Sequence, residues 1–502
     1  ATVLNTTDSN VFFGAKLNNQ TASAEALTIN AGTGNVTFTG TVGDAAKIAA
    51  LEVNSAGVTT FVSAVDAASV TTDGVGSVRL QGGRITTTGA QTFNDDVLLG
   101  NTAHATVLNT TDSNVFFGAK LNNQNASAEA LTINAGLGNV TFTGTVGDAA
   151  KIAALEVNSA GVTTFVSTVD AASVTTDALG SVRLQGGRIT TTGAQTFNDD
   201  VLLGNGAHAT ALNTTDSNVF FGAKLNNQTA SAEALTINAG TGNVTFTGTV
   251  GDAAKIAALE VNSAGVTTFL SAVDAASVTT DAGGSVVING GSVSTSGAQT
   301  YGETTTVTLG GNTTLTGSRI TFHAPVTGAG YLRVMGDATL HGGTITTTGA
   351  QNYLGAVELT ANTVLDAGAE DVGMSGAVDG AFSLRVVSGG ITNFASAVGA
   401  NRALSSVWVT GAGMTQINGY SITTSGAQTY DQMLSLGRST TLSASRVIFN
   451  APVSGNALNV QGDLTLNTSS ITTTGAQRFA GAVTLTTDST LSTSGSAAVT
   501  FD

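Results

Sequence analysis

Only four of the 502 residues are histidines: His104, His208, His323 and His341. An imidazole can act as acid, base or metal ligand. The first two histidines, however, hold one position in two copies of a repeat, and none lies in an HExxH-type spacing. The chain has no cysteine, which removes both a disulfide framework and any thiolate metal site. Each histidine is therefore expected to sit in a solvated turn.

Among carboxylates, Asp95 and Asp96 are adjacent and recur as Asp199 and Asp200, and Glu370 with Asp371 forms another neighbouring pair. Such pairs could help to hold Ca²⁺, which takes about six to eight oxygens. Calcium is the one cofactor left open, against the plainer reading of an acidic corner between strands. The GGxGxD calcium nonapeptide is absent. Two acids facing across a groove hydrolyse glycosides, but acids repeated at 104-residue intervals do not form the unique cluster that an active site requires. Arg319, His323, Arg333, Asp337 and His341 are spread through the second half without a motif. No catalytic, cofactor-binding or metal residue is assigned, and an enzyme is not expected.

Aromatic and hydroxyl side chains offer binding chemistry instead. Trp408 and Tyr420 lie in the irregular second half and could recognise a glycan, against the simpler reading of a packed or isolated aromatic. Ice or crystal binding would need Thr-x-Thr on successive coils. The run Thr86-Thr87-Thr88 appears once per long unit, which breaks such a ladder. Asn-x-Thr triplets such as Asn5-Thr6-Thr7 are equally consistent with turn and strand chemistry.

The elements that must position these residues are legible in the composition. Charged residues make up 10% and aromatics 5%, with only two prolines, Pro325 and Pro452. Thr and Val suit half-buried strands, and Gly, Asn and Asp suit turns. A hydrophobic content of 41% is too high for a disordered chain. The formal charge of −16 disfavours a nucleic-acid partner or an anionic membrane. No apolar run is long enough to span a bilayer as a helix, so no membrane insertion is expected within this segment.

Repetition organises the chain. The segment ATVLNTTDSNVFFGAKLNNQ at Ala1 returns at Ala105 and, with one change, at Ala209, a period of 104 residues. The first two copies differ at six positions, Thr21/Asn125, Thr33/Leu137, Ala64/Thr168, Gly74/Ala178, Val75/Leu179 and Thr102/Gly206. A second motif, [IV]-[ST]-T-[ST]-G-A-Q, begins at Ile85, Ile189, Val293, Ile345, Ile422 and Ile471, with spacings of 104, 104, 52, 77 and 49. Such variation suits a solenoid, which changes length by whole coils. Four segments follow: repeat units at 1–104, 105–208 and 209–292, and shorter irregular blocks over 293–502.

Within one unit, related strand openings at Val3, Leu27, Leu51, Val70, Ile85 and then Val107 are separated by 24, 24, 19, 15 and 22 residues. Elements of about twenty residues predict the coils of a parallel β-helix. The short 15-residue step leaves four or five coils per unit open. Phe13, Phe38, Phe61 and Phe93 recur at 25, 23 and 32 residues and are expected to stack inside, because Val36, Phe38 and Val42 alternate with polar residues. Residues 43–50 are the most helix-like stretch. A plain corner loop is favoured there over a helical turn supported by Asp44 and Lys47, or over a docking point repeated along the rod.

The LTINAGTGNVTFTGTVG, ALEVNSAGVTTF and SITTSGAQTY repeats resemble those of filamentous-haemagglutinin-like adhesins and related giant bacterial surface proteins. The resemblance spans essentially the whole chain and concerns repeat style. It implies a right-handed parallel β-helix, export to the cell surface or beyond, and roles in adhesion, aggregation or coating. No secretion domain or C-terminal barrel is visible, and the start of the chain within a repeat suggests a window from a larger protein. The resulting expectation is an extracellular stalk or fibre segment. Its partners would be further copies of itself or a host or neighbouring cell surface. A polymerising sheath or surface-layer subunit and a glycan-binding module are the alternatives.

Overall fold

The computed structural model describes residues 1–20, 24–100, 105–125, 128–204, 209–229 and 233–502. It contains two compact units, Ala1–Gly265 and Val266–Asp502. Both are built of parallel strands stacked as a β-solenoid, and no helix occurs among the described residues. His104 and His208 lie outside the described residues.

Alternation of apolar and hydroxyl residues makes the strands. In Val36–Phe38 the valine and phenylalanine are buried while Thr37 faces outward, and Leu27–Gly32 buries Leu27, Ile29 and Ala31 in the same way. Such short strands cannot hide an apolar row alone. They do so by pairing with the coils above and below, which also satisfies the backbone along the axis.

In the first unit the register identifies the coils. Thr2 pairs with Leu27, Leu27 with Leu51, Leu51 with Val70, Val70 with Gln91, and Gln91 with Val115. The steps along this face are therefore 25, 24, 19, 21 and 24 residues. Ile85 does not follow Val70 on this face; it pairs with Val65 and Leu108 on another. The 15-residue step is thus a change of face and not a short coil.

This settles the choice between four and five coils in favour of neither. From Thr2, four full coils lead to Gln91 on the same face, and the strands Asp96–Leu99 and Thr106–Asn109 then occupy the other two faces in turn. The second copy consequently starts two-thirds of a coil out of phase. Equivalent leucines confirm the rotation. Leu4 is in the column of Ile29 and Val53, Leu108 is in that of Ile85 and Ile133, and Leu212 is in that of Ile189 and Ile237.

The phenylalanines follow the same rule. Phe13, Phe38 and Phe61 stack at centroid distances of 4.9 and 5.1 Å, and the column continues with Leu80 and Leu99. Phe93 begins a separate ladder with Phe117, Phe142 and Phe165, joined to Thr72 below. Phe197, Phe221 and Phe246 form a third. Interior stacking is borne out, while the 32-residue interval from Phe61 to Phe93 marks the passage to a new face. Ring separations near 5 Å reflect the strand spacing of about 4.8 Å.

The second unit has shorter coils. One inward column runs unbroken through Val307, Val326, Ile345, Leu365, Val386, Val409, Tyr430, Phe449 and Leu466. Residues 43–46 of the first unit are bends leading into the strand Ile48–Ser55, as a corner loop requires. Asp44 does not pair with Lys47 there; its carboxylate meets Lys16 Nζ at 2.6 Å, from the preceding coil.

Candidate functional site

The GAQ motif occupies the interior. Gln91 is fully buried, and its Nε2 donates to the Ile85 carbonyl at 3.3 Å, to Thr87 Oγ1 at 3.2 Å and to the Asn109 carbonyl of the next coil at 2.9 Å. Thr87 Oγ1 donates to the Gly89 carbonyl at 2.6 Å, which closes the turn. The motif therefore staples a strand to the following strand and to the coil above. Gly83 enters this strand with φ 68°, a conformation in which a side chain is strained. The same three donations recur at Gln195, Gln299, Gln351, Gln428 and Gln477.

The residue two places on divides these staples into two kinds. Tyr301, Tyr353 and Tyr430 are buried, and each phenol donates to the oxygen of its glutamine at 3.0 or 3.1 Å. Burial pushes all three phenols well above their ordinary pKa. Where phenylalanine replaces tyrosine, at Phe93, Phe197 and Phe479, the oxygens of Gln91, Gln195 and Gln477 are buried without a protein partner.

The next corner carries the repeated acids. Asp95 is buried and accepts the Gly76 N–H at 2.8 Å, whereas Asp96 is exposed and accepts the Lys120 N–H at 3.0 Å. Their environments, one inside and one outside, separate the two carboxylates. Asp95 and Asp96 therefore do not act as a paired chelator, and Asp199 with Asp200 repeats the arrangement. Burial pushes Asp95 and Asp199 up to about 6, and the like charges of Asp73 and Asp177 add to the effect. Glu303 holds the equivalent place in the second unit and is pushed up to about 7, first by burial and then by Asp281. One oxygen of Asp95 and one of Glu303 lack a protein partner. Glu370 and Asp371 are both exposed, and Asp371 accepts the Ile391 N–H at 2.6 Å.

Outward groups are mostly engaged between coils. Arg84 forks onto Asp66 at 3.1 and 2.9 Å, and Arg188 repeats this on Asp170. The Lys120–Asp148 and Lys224–Asp252 pairs, at 2.9 and 2.8 Å, hold both aspartates down to about 2 through the lysine contact and then Asn122 or Asn226. Asn5, Asn30 and Asn54 form a hydrogen-bonded ladder of 2.7 and 2.8 Å steps, repeated by Asn109, Asn134 and Asn158.

Four of the five dispersed second-half residues assemble as two pairs, while Arg333 is exposed on the strand Leu332–Leu340 and joins neither. Arg319 contacts Glu358 at 3.2 Å and Asp337 at 4.0 Å beside a groove of about 290 Å³ that also includes Asp379 and Arg402. Asp379 accepts the N–H groups of Asn401 and Arg402 at 2.9 and 3.1 Å. His323 and His341 stack with centroids 4.4 Å apart. Burial, followed by the neighbouring His341, holds His323 below the usual imidazole range. This pairing is not legible in the sequence, because the 18-residue separation acquires meaning only once it equals one coil.

Trp408 is 42% exposed, but it is not a free platform. The Arg385 guanidinium lies 4.4 Å from the ring centroid, and Trp408 Nε1 donates to Asp431 at 2.7 Å. Tyr420 is 64% exposed, with the Arg438 guanidinium 5.2 Å from its ring centroid. Among the described residues, no group of three or more histidine, cysteine or acidic side chains is arranged to hold a metal ion. No protein-family model, curated protein or solved structure matches the chain.

Proposed function

We propose that this chain is a structural or adhesive stalk segment of an extracellular bacterial surface protein, in which the 104-residue copies provide length and stiffness without catalysis. The observation that carries the reading is the repeated junction. Arg84 and Ile85 pair with Val107 and Leu108 at the first boundary, and Arg188 and Ile189 pair with Ala211 and Leu212 at the second. A copy can therefore be gained or lost without creating a new interface. The interior staples, asparagine ladders and ion pairs serve contacts between coils, which suits load-bearing along the axis.

The partner of such a segment is a neighbouring surface or another copy of the protein. The test is removal of 105–208 from the protein displayed on its cell. The expected result is a shorter projection with attachment to surfaces retained at comparable strength. Loss of attachment with the projection still present would place binding in the repeat itself and reject the spacer role.

A further inference from the structure

We propose that His323 and His341 form a two-imidazole site for a borderline divalent cation such as Zn²⁺, clipping one coil of the solenoid to the next. The two residues follow Phe322 and Leu340, which are register partners on adjacent strands, so both imidazoles leave the same corner one coil apart. Both are exposed, and their rings are nearly parallel, 8° apart at 4.4 Å. Imidazole nitrogen is a favoured ligand for zinc, copper and nickel.

The corner of the following coil supplies a supporting contact. Thr360 Oγ1 lies 2.6 Å from His341 Nδ1 and 3.0 Å from the Leu340 carbonyl. Directing the single hydroxyl hydrogen to that carbonyl leaves the oxygen to accept Nδ1–H, which places the imidazole lone pair on Nε2. A metal-bound histidine uses its second nitrogen in this way. Among the described residues the His323 ring has no hydrogen-bond partner, which leaves its nitrogens available.

Zinc–nitrogen bonds are about 2.0–2.1 Å long, so the His323 ring must turn from stacking until one of its nitrogens converges with Nε2 of His341, which keeps its Thr360 contact. Exposure allows that rotation. The protein supplies two ligands and water completes the coordination, because among the described residues no third histidine, cysteine or acid is arranged at the pair.

Calorimetric titration of the whole chain with Zn²⁺, with Ca²⁺ as the hard-ion control, tests the site. The expected result is one zinc-binding event that is abolished by His323→Gln and by His341→Gln and absent with calcium. Thr360→Val should weaken it by roughly tenfold or more, and zinc should raise the thermal midpoint of the parent but not of the histidine variants. No zinc binding, or binding unchanged in both histidine variants, would overturn the proposal and leave the pair as a stacking contact.

Discussion

At the scale of single residues, the staples contain a comparison made by the protein itself. Phe93 and Tyr301 occupy equivalent places two repeats apart, each two residues after its glutamine, yet only the tyrosine satisfies the glutamine oxygen. A buried polar atom without a partner costs about 1–3 kcal/mol. Phe93→Tyr should therefore stabilise the chain by about 1 kcal/mol and Tyr301→Phe should destabilise it by a similar amount, both measured by denaturant unfolding. Replacing Gln351 by Ala removes an amide whose two N–H groups serve three acceptors and leaves buried carbonyls bare, so a loss of about 2–4 kcal/mol is expected. The motif itself stood out in the sequence, but its inward direction did not, because Gln is ordinarily a surface residue. The separation of Asp95 from Asp96 was hidden for the same reason: adjacency along a chain says nothing about which side of a corner each carboxylate reaches.

At the scale of strands and corners, alternating Val, Thr and Phe made the all-β coils legible, whereas their phase was not. Every face uses the same inward and outward alternation, so Ile85 resembles Val70 although they belong to different faces. Only cross-coil pairing distinguishes them. The same corners predict an unusual pH response. Unfolded Asp and Glu titrate near 4, but Asp95, Asp199 and Glu303 are held up to about 6 or 7 when folded. Their contribution to stability is complete below about pH 4 and disappears as pH rises through 6 to 7. Asp148 and Asp252, held down to about 2, act in the opposite sense and lose their contribution only in stronger acid. Thermal unfolding should consequently show a higher midpoint at pH 5 than at pH 8. The triple variant Asp95→Asn, Asp199→Asn, Glu303→Gln should remove most of that difference; an unchanged slope would mean that these acids do not govern it.

At the scale of the whole molecule, duplication adds four coils and two further faces, so each new copy turns its pattern onto the next face. The Phe ladders and Asn ladders are thereby distributed around the first unit and do not accumulate on one side. The 104-residue period is plain in the sequence, but this rotation is not, because nothing in the repeat itself marks whether 104 residues close on a whole number of coils. With layers about 4.8 Å apart, removal of one copy should shorten the first unit by about 22 Å. Electron microscopy of the purified chain beside the form lacking 105–208 measures this directly. The expected result is an intact first unit of unchanged width that is shorter by that increment. An unchanged length, or collapse of the solenoid on removal of one copy, would contradict it.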